Sequence, residues 1–361
     1  MYSYVYLPLP TVAMVASLLP AKYLPVNPSL LARLLPRLDS AARYYHRHGR
    51  PIQIDKNLCS TLICHRMPKI CREEREEFLP GLNGKVALVT GAGGMRGVGR
   101  ATVKKLADQG ADIALTDVHR EIPDLPPAEV RTEWGGIDTV STEVEALGRR
   151  SLPIYCDLSD PSQIERMVDL VMDEFGRIDV LVNNARAIIG KDKVPVTDLE
   201  KEVWDHFFSI NTTAVFLCTK YVAKHMIQAG NGGRIINIAS NASKQASANG
   251  AAYSASKFAV LGLTQASAMD LALYNITVNA VCPGPINTDR MSYWERDQAE
   301  QRGITQEEFR GQIVESSAQN TPLGRIAESE DVANMVSFLA GEDASFITGQ
   351  AYNVNGGQLF H

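Results

Sequence analysis

Tyr253 and Lys257 stand four residues apart in the run Tyr253-Ser-Ala-Ser-Lys257. On a helix that spacing puts both on one face, one turn from each other. A free phenol titrates near pH ~10 and is a poor base at neutrality; a nearby ammonium favours the phenolate and draws it toward working pH. The pair can therefore move a proton at neutral pH. Taken alone, the same spacing also describes an exposed tyrosine and lysine on a surface helix, and its surroundings must decide.

A second run, Thr90-Gly-Ala-Gly-Gly-Met-Arg-Gly-Val-Gly99, closes an apolar strand and opens a helix. Glycines there let backbone N–H groups approach a pyrophosphate at the helix N-terminus. Gly91, Gly97, Val98 and Gly99 are the candidate phosphate contacts. Asp117 ends the next strand eighteen residues after Gly99. A carboxylate at that point accepts the two ribose hydroxyls of NAD and repels the extra phosphate of NADP. A glycine turn serving only close packing would not account for this acid.

The elements that must hold these residues are legible from Gly84 onward, where short β-branched runs alternate with amphipathic segments of helical length. Strands are predicted at Val86–Thr90, Ile113–Asp117, Leu152–Cys156, Val180–Val182, Arg234–Ile238, Ile276–Val281 and Ala351–Val354, each continuous enough to be buried on both faces. The helix after the first strand places Val103, Leu106 and Ala107 on one face and stops at Gly110. Three prolines between Glu121 and Gly136 mark an inserted loop before the next helix. The expected fold is α/β, a Rossmann-type doubly wound seven-stranded parallel sheet forming one domain over residues 81–361.

Residues 1–80 differ. Proline recurs at 8, 10, 20, 25, 28, 36, 51, 68 and 80, and no acid precedes Asp39. Thr11–Leu19 falls short of the ~20 apolar residues of a membrane span, so no transmembrane segment is expected. The segment reads as an irregular extension, dispensable for chemistry, serving as an address or surface attachment. Its five arginines between Arg33 and Arg50 leave a mitochondrial presequence as the alternative to a cytoplasmic protein. A net charge of −5 offers no field for a phosphate backbone, which points to a small-molecule partner and away from nucleic acid. Six scattered cysteines suit a reducing compartment, and Cys59, Cys64, Cys71 and His65 lack the paired spacing of a zinc site, so no metal is expected.

From about Leu82 to its end the chain resembles the short-chain dehydrogenase/reductase family, whose turn reads T-G-x-x-x-G-x-G. Five residues rather than three separate Gly91 from Gly97, a two-residue insertion that bears on how Arg96 meets the phosphates. Relatives that use NADP often carry a base where Arg96 stands; Asp117 is weighed above it, because like-charge repulsion in a partly dehydrated site is costly. NAD is thus the expected cofactor, with NADP the lesser alternative. The resemblance implies that Asp157 and Leu158 contact adenine and that Asn184 belongs to the N-N-A-G turn, where this chain has Arg186 for the glycine. It implies further that Ile286 and Thr288, in Pro283-Gly-Pro-Ile-Asn-Thr288, hold the carboxamide. Ser240, thirteen residues before Tyr253, is the implied polarising hydroxyl, and Asn211 the residue whose carbonyl holds a water linked to Lys257.

The implied activity is interconversion of a secondary alcohol and a ketone by hydride transfer, with Tyr253 as acid/base, Lys257 lowering its pKa and binding ribose, and Ser240 orienting the oxygen. The alternatives are an NADPH-dependent 3-oxoacyl reductase and a nucleotide-sensing protein without turnover. About thirty residues between the Pro-Gly turn and Thr321-Pro-Leu-Gly324 resemble a substrate lid, and its Tyr293 and Trp294 fit either a hydrophobic substrate or the lid's own packing. A homo-oligomer, dimer or tetramer, is expected through long helices at Trp204–Ala229 and Tyr253–Tyr274.

Overall fold

The structure, a computed structural model, describes residues 81–119, 129–130, 132–187, 192–288 and 292–361, and the side chains of 292–294 are not among what it describes. The readings of the extension 1–80, of most of the 121–136 loop, and of Tyr293 and Trp294 fall outside these residues.

Seven strands form a single sheet: β1 (Val86–Thr90), β2 (Asp112–Asp117), β3 (Ser151–Tyr155), β4 (Val180–Asn183), β5 (Gly233–Ile238), β6 (Ile276–Pro283) and β7 (Ala351–Val354). Their order is β3-β2-β1-β4-β5-β6-β7, and every neighbouring pair is parallel. The helices are α1 (Val98–Asp108), α2 (Ile137–Ala146), α3 (Pro161–Phe175), α4 (Lys201–Phe208), α5 (Ala214–Ala229), α6 (Ala251–Leu271), α7 (Ser292–Arg302), α8 (Gln306–Gln319) and α9 (Ser329–Ala340). Predicted strand bounds agree within two residues.

Why the strands read as unbroken apolar runs is visible in their alternation. Ala87, Val89, Ile113, Leu115, Val180 and Val182 face one layer with residues of α1, α2 and α9, while Val86, Leu88, Ala114 and Leu181 face the other with residues of α3, α5 and α6. Period-two side chains sandwiched between two helical layers leave no polar face. One expectation needs correcting: β3 and β7 are only part-buried. Each is an edge with a single neighbour, which also explains how β3 accommodates Pro153, a residue with no N–H to donate.

Helix ends follow local chemistry. Asp160 caps α3 by accepting from Ser162 N, Pro161 starts the helix, and Gly176 ends it at φ 71°. The predicted helix from Trp204 to Ala229 is interrupted by a π-helical turn, Ser209–Thr213, between α4 and α5. π-turns of this kind concentrate at functional sites.

The chain leaves β1 toward β2 on one side of the sheet and β4 toward β5 on the other. Reversal of strand order between β1 and β4 opens a crevice at the carboxyl ends of the strands, where ligands of such sheets bind. The glycine run, Asn184, Ser240 and the Pro-Gly turn follow β1, β4, β5 and β6, so all four meet there.

Candidate active site

The glycine turn is packed so closely that side chains have no room. Gly91 has φ +67°, and a Cβ on it would lie 2.7 Å from Ala185 Cα; one on Gly99 would lie 2.4 Å from the Gly91 carbonyl. Asn184 locks the approach, its Nδ2 donating to the carbonyls of Thr90 and Gly91 at 2.8 Å each. The longer turn is held from outside: Met95 N donates to Glu129 Oε1 at 2.9 Å and Trp134 Nε1 to the Gly93 carbonyl at 2.8 Å, both from far along the chain, and Arg100 Nη1 of α1 donates to the Met95 carbonyl at 2.6 Å. Gly97 caps α1, where no side chain occupies the cap and no acid sits in the first turn. A helix N-terminus left without a side-chain cap at a glycine turn fits a pyrophosphate.

Asp117 lies behind this turn at the end of β2, Oδ2 accepting from Gly93 N at 2.7 Å and Oδ1 from Val118 N at 2.9 Å. Its carboxylate therefore shapes the turn as well as charging its edge. Arg96 is exposed and lines a neighbouring groove with Arg100 and Lys104 rather than the cleft. Asp157 turns inward on its own loop, Oδ1 accepting from Ser159 N and Oγ at 2.9 and 2.8 Å, and the Leu158 side chain packs into the core below β3.

Across the crevice, α6 carries Tyr253 and Lys257. The Lys257 ammonium is buried and donates to the Ile238 carbonyl at the end of β5 over 2.7 Å. Burial first, and then repulsion from Arg186, push its pKa down from 10.5 to about 7. Ser240 follows two residues after Ile238. Its Oγ accepts from Ala242 N at 3.1 Å while its own N donates to Ser243 Oγ at 3.1 Å, a reciprocal cap that fixes the hydroxyl at the start of a 3₁₀ turn.

Asn211 lies fully buried in the π-turn, and its side chain does the joining: Oδ1 accepts from Ala187 N at 2.8 Å and Nδ2 donates to Ser256 Oγ at 3.0 Å. Ser256 Oγ in turn donates to the Tyr253 carbonyl at 2.9 Å. An asparagine poorly suited to a helix interior is thereby satisfied, and the loop after β4 is tied to the turn that bears Tyr253.

A cleft of about 480 Å³ opens on these residues. Among those predicted from sequence, Gly91, Gly97, Val98, Asn184, Ser240, Tyr253, Lys257, Ile286 and Thr288 line it; Arg96, Gly99, Asp117, Asp157, Leu158 and Asn211 do not. The loop of Ile286 and Thr288 is pinned by Arg310 of α8, which donates to the Thr288 carbonyl at 2.7 Å and to Asn287 Oδ1 at 3.1 Å, and pairs with Glu295 of α7 at 3.0 Å. The sequence reading missed Arg310 and Glu295, along with the wall residues Asn241, Gln245, Ser247 and Gln358. Gln358 lies 118 residues from Ser240, and no local motif marks it. Among the described residues no group of three or more His, Cys, Asp or Glu side chains converges as a metal site would require, and no helix is long and apolar enough to cross a membrane.

A doubly wound sheet with a glycine-lined crevice at its switch point, facing a tyrosine, a buried lysine and a serine, defines a dinucleotide-using oxidoreductase. The family model described as enoyl-(acyl carrier protein) reductase matches residues 91–358. A short-chain dehydrogenase/reductase of Armillaria gallica is 38% identical over 77% of this chain and 97% of its own. The sorbitol dehydrogenase of Cereibacter sphaeroides is 33% identical over 76% and 98%. The crystal structure of an NAD⁺-bound xylitol dehydrogenase superposes with a TM-score of 0.65 at 34% identity, over 76% of this chain and 99% of the other. The chain belongs to the short-chain dehydrogenase/reductase family.

The buried lysine has a measurable consequence. Its folded pKa lies below its unfolded one, so between about pH 7 and 10.5 the unfolded chain holds a proton that the folded protein without cofactor has released, and stability rises with pH across that window. Lys257→Met removes the dependence. Its Tm is expected to exceed that of the native protein by several degrees at pH 6, with the gap closing as the pH is raised toward 9. A gap that stays constant in thermal melts across this range would refute the burial argument.

Proposed function

We propose that this protein interconverts a secondary alcohol and a ketone, using NAD in preference to NADP. The single observation carrying the reading is that Ser240, Tyr253 and Lys257 open on the same cleft as Gly91, Gly97 and Val98. The dinucleotide fits on this chain's own terms, by the turn without room for side chains, the helix N-terminus without a side-chain cap, and the carboxylate at the end of β2. When bound, it supplies or accepts the hydride.

The remaining chemistry belongs to side chains. Ser240 donates to the substrate oxygen and holds it against Tyr253, whose phenol gives the proton to a forming alcohol or takes it from one being oxidised. Lys257, as ammonium, stabilises the phenolate; as a group titrating near neutrality it can also follow the proton exchanged by Tyr253. Asn211 and Ser256 set the position of that helical turn. Ile286 and Thr288 form the opposite wall, toward the carboxamide. Asp117 speaks against an NADPH-dependent 3-oxoacyl reductase, and the complete serine, tyrosine and lysine set against a protein that senses nucleotide without turnover. The assembly we propose is a homo-oligomer, dimer or tetramer, since α5 and α6 leave Phe216 and Phe258 at 45% and Met269 at 81% exposure, and the 3₁₀ turn after α6 leaves Leu273 at 93%.

Tyr253→Phe is expected to bind NAD nearly as the native protein does and to lose at least 10²-fold in kcat on a panel of alcohols and ketones, because the ring keeps its packing without a transferable proton; retention of more than about a tenth of the native rate would remove Tyr253 from the mechanism. For Asp117→Ala, the ratio of kcat/KM for NADP over NAD should rise by about tenfold or more as repulsion is lifted, and an unchanged ratio in a folded variant would assign cofactor choice elsewhere. Light scattering after size exclusion tests the assembly: a mass of about twice or four times 39.5 kDa is expected, and a monomer at all concentrations would refute it.

A further inference from the structure

The glycine turn is two residues longer than the T-G-x-x-x-G-x-G it resembles, and it contains the pair Gly93-Gly94, whose backbone has no side chain to restrict it. Such a segment must be held if it is to offer a dinucleotide one shape. Gly93 is buried and held on both sides: its N–H donates to Asp117 Oδ2 at 2.7 Å, and its carbonyl accepts from Trp134 Nε1 at 2.8 Å. It also lies against the acid itself, since a Cβ on Gly93 would stand 3.0 Å from Asp117 Oδ2 and 3.2 Å from Asp117 Cβ. Whatever fixes Gly93 therefore fixes the carboxylate.

Trp134 is itself anchored. Its backbone N donates to the Glu129 carbonyl at 2.9 Å, so the two residues form one bracket, Glu129 Oε1 accepting from Met95 N and the indole reaching Gly93 two residues earlier. The Arg100 guanidinium lies 4.9 Å from the centroid of the indole and is paired with Glu143 of α2 through hydrogen bonds of 2.9 and 2.5 Å. The ring is half-buried against the core layer of α1 and α2. Packing accounts for the ring, and not for an N–H that ends on the backbone of the turn.

We propose that Trp134 is a positioning residue for cofactor selectivity: by holding Gly93 it fixes the Asp117 carboxylate where it accepts the ribose hydroxyls of NAD and repels the extra phosphate of NADP. The inference rests on the reading of Asp117 given above. Both functions of the acid depend on place. Hydrogen bonds to an ionised carboxylate are short and directional, and repulsion falls with distance, so a carboxylate no longer braced by Gly93 loses part of each. Trp134 acts at one remove, through the Gly93 backbone.

The test is calorimetric titration of the full chain with NAD and with NADP, which reads binding whether or not any alcohol is turned over. Trp134→Phe, which keeps an aromatic ring without the N–H, is expected to weaken NAD about fivefold, the worth of one hydrogen bond, and to leave NADP unchanged or tighter, so that the preference for NAD falls by about fivefold or more. Benzothienylalanine at position 134, which keeps the bicyclic ring and replaces the N–H by sulfur, should do the same, and it decides the matter if the phenylalanine variant does not fold. A residue that only packs would weaken both dinucleotides alike or lower the Tm without moving their ratio, so an unchanged ratio in a folded variant overturns the inference. The route through the acid is read from the double variant: in the Asp117→Ala background Trp134→Phe should shift the ratio no further, because the carboxylate it positions is gone. Full additivity of the two substitutions overturns the inference, since Trp134 would then act on the cofactor by another path. If Asp117→Ala alone leaves the ratio unchanged, the reading of Asp117 fails and this one with it; if Asp117→Ala shifts the ratio and Trp134→Phe does not, only this one fails.

Discussion

The burial of the Lys257 ammonium against the Ile238 carbonyl is the contact on which the site turns. It joins α6 to the end of β5, two residues before Ser240, and so sets Lys257 and Ser240 relative to each other. A buried amine held by one carbonyl has exchanged water for a single acceptor, and its pKa near 7 records the cost of that exchange.

Around this contact the fold adds buried polar ties that make the geometry rigid. Asn183 Nδ2 donates to Asn237 Oδ1 at 2.8 Å, and Asn237 Nδ2 to Thr264 Oγ1 at 2.9 Å, linking β4, β5 and α6 through the apolar interior. Each link is satisfied by the next, and buried amides specify one arrangement only when their partners are all present. Asn211 and Ser256 extend the same logic to the turn bearing Tyr253. The π-turn at 209–213 widens the helix there, so that an asparagine can face the loop after β4 instead of competing with its own backbone.

The long glycine turn follows a different rule. Besides one bond within the turn, from Gly97 N to the Gly94 carbonyl, it leans on Glu129, Trp134 and Arg100, which come from the segment after β2 and from α1. Arg100 is itself held by Glu143 of α2, and the pair shifts each partner away from its ordinary pKa, the arginine upward and the glutamate downward, through their mutual hydrogen bonds first. Arg96 lies outward, lining the groove beside α1, apart from the cleft that Ser240, Tyr253 and Lys257 line.

Much of this was legible along the chain, because the signals are local. Period-two apolar runs, a glycine turn between strand and helix, and a tyrosine four residues before a lysine depend on neighbours in sequence, so the seven strands, their parallel sheet and the candidate group Ser240, Tyr253 and Lys257 could be read from residue types and spacing together with the family resemblance, while the strand order came from the structure. What the sequence could not determine depends on residues brought together from afar. Edge position made β3 and β7 half-buried though their composition matched the central strands; the role of the Asn211 side chain depends on Ala187 and Ser256, 24 and 45 residues away. Gln358 reaches the cleft because β7, which it follows, pairs with β6, and Arg310 reaches the loop after β6 from α8. The lysine's depressed pKa and its electrostatic coupling to Arg186 arise from burial and proximity, and neither quantity exists until the tertiary structure excludes water and sets the distance between charges.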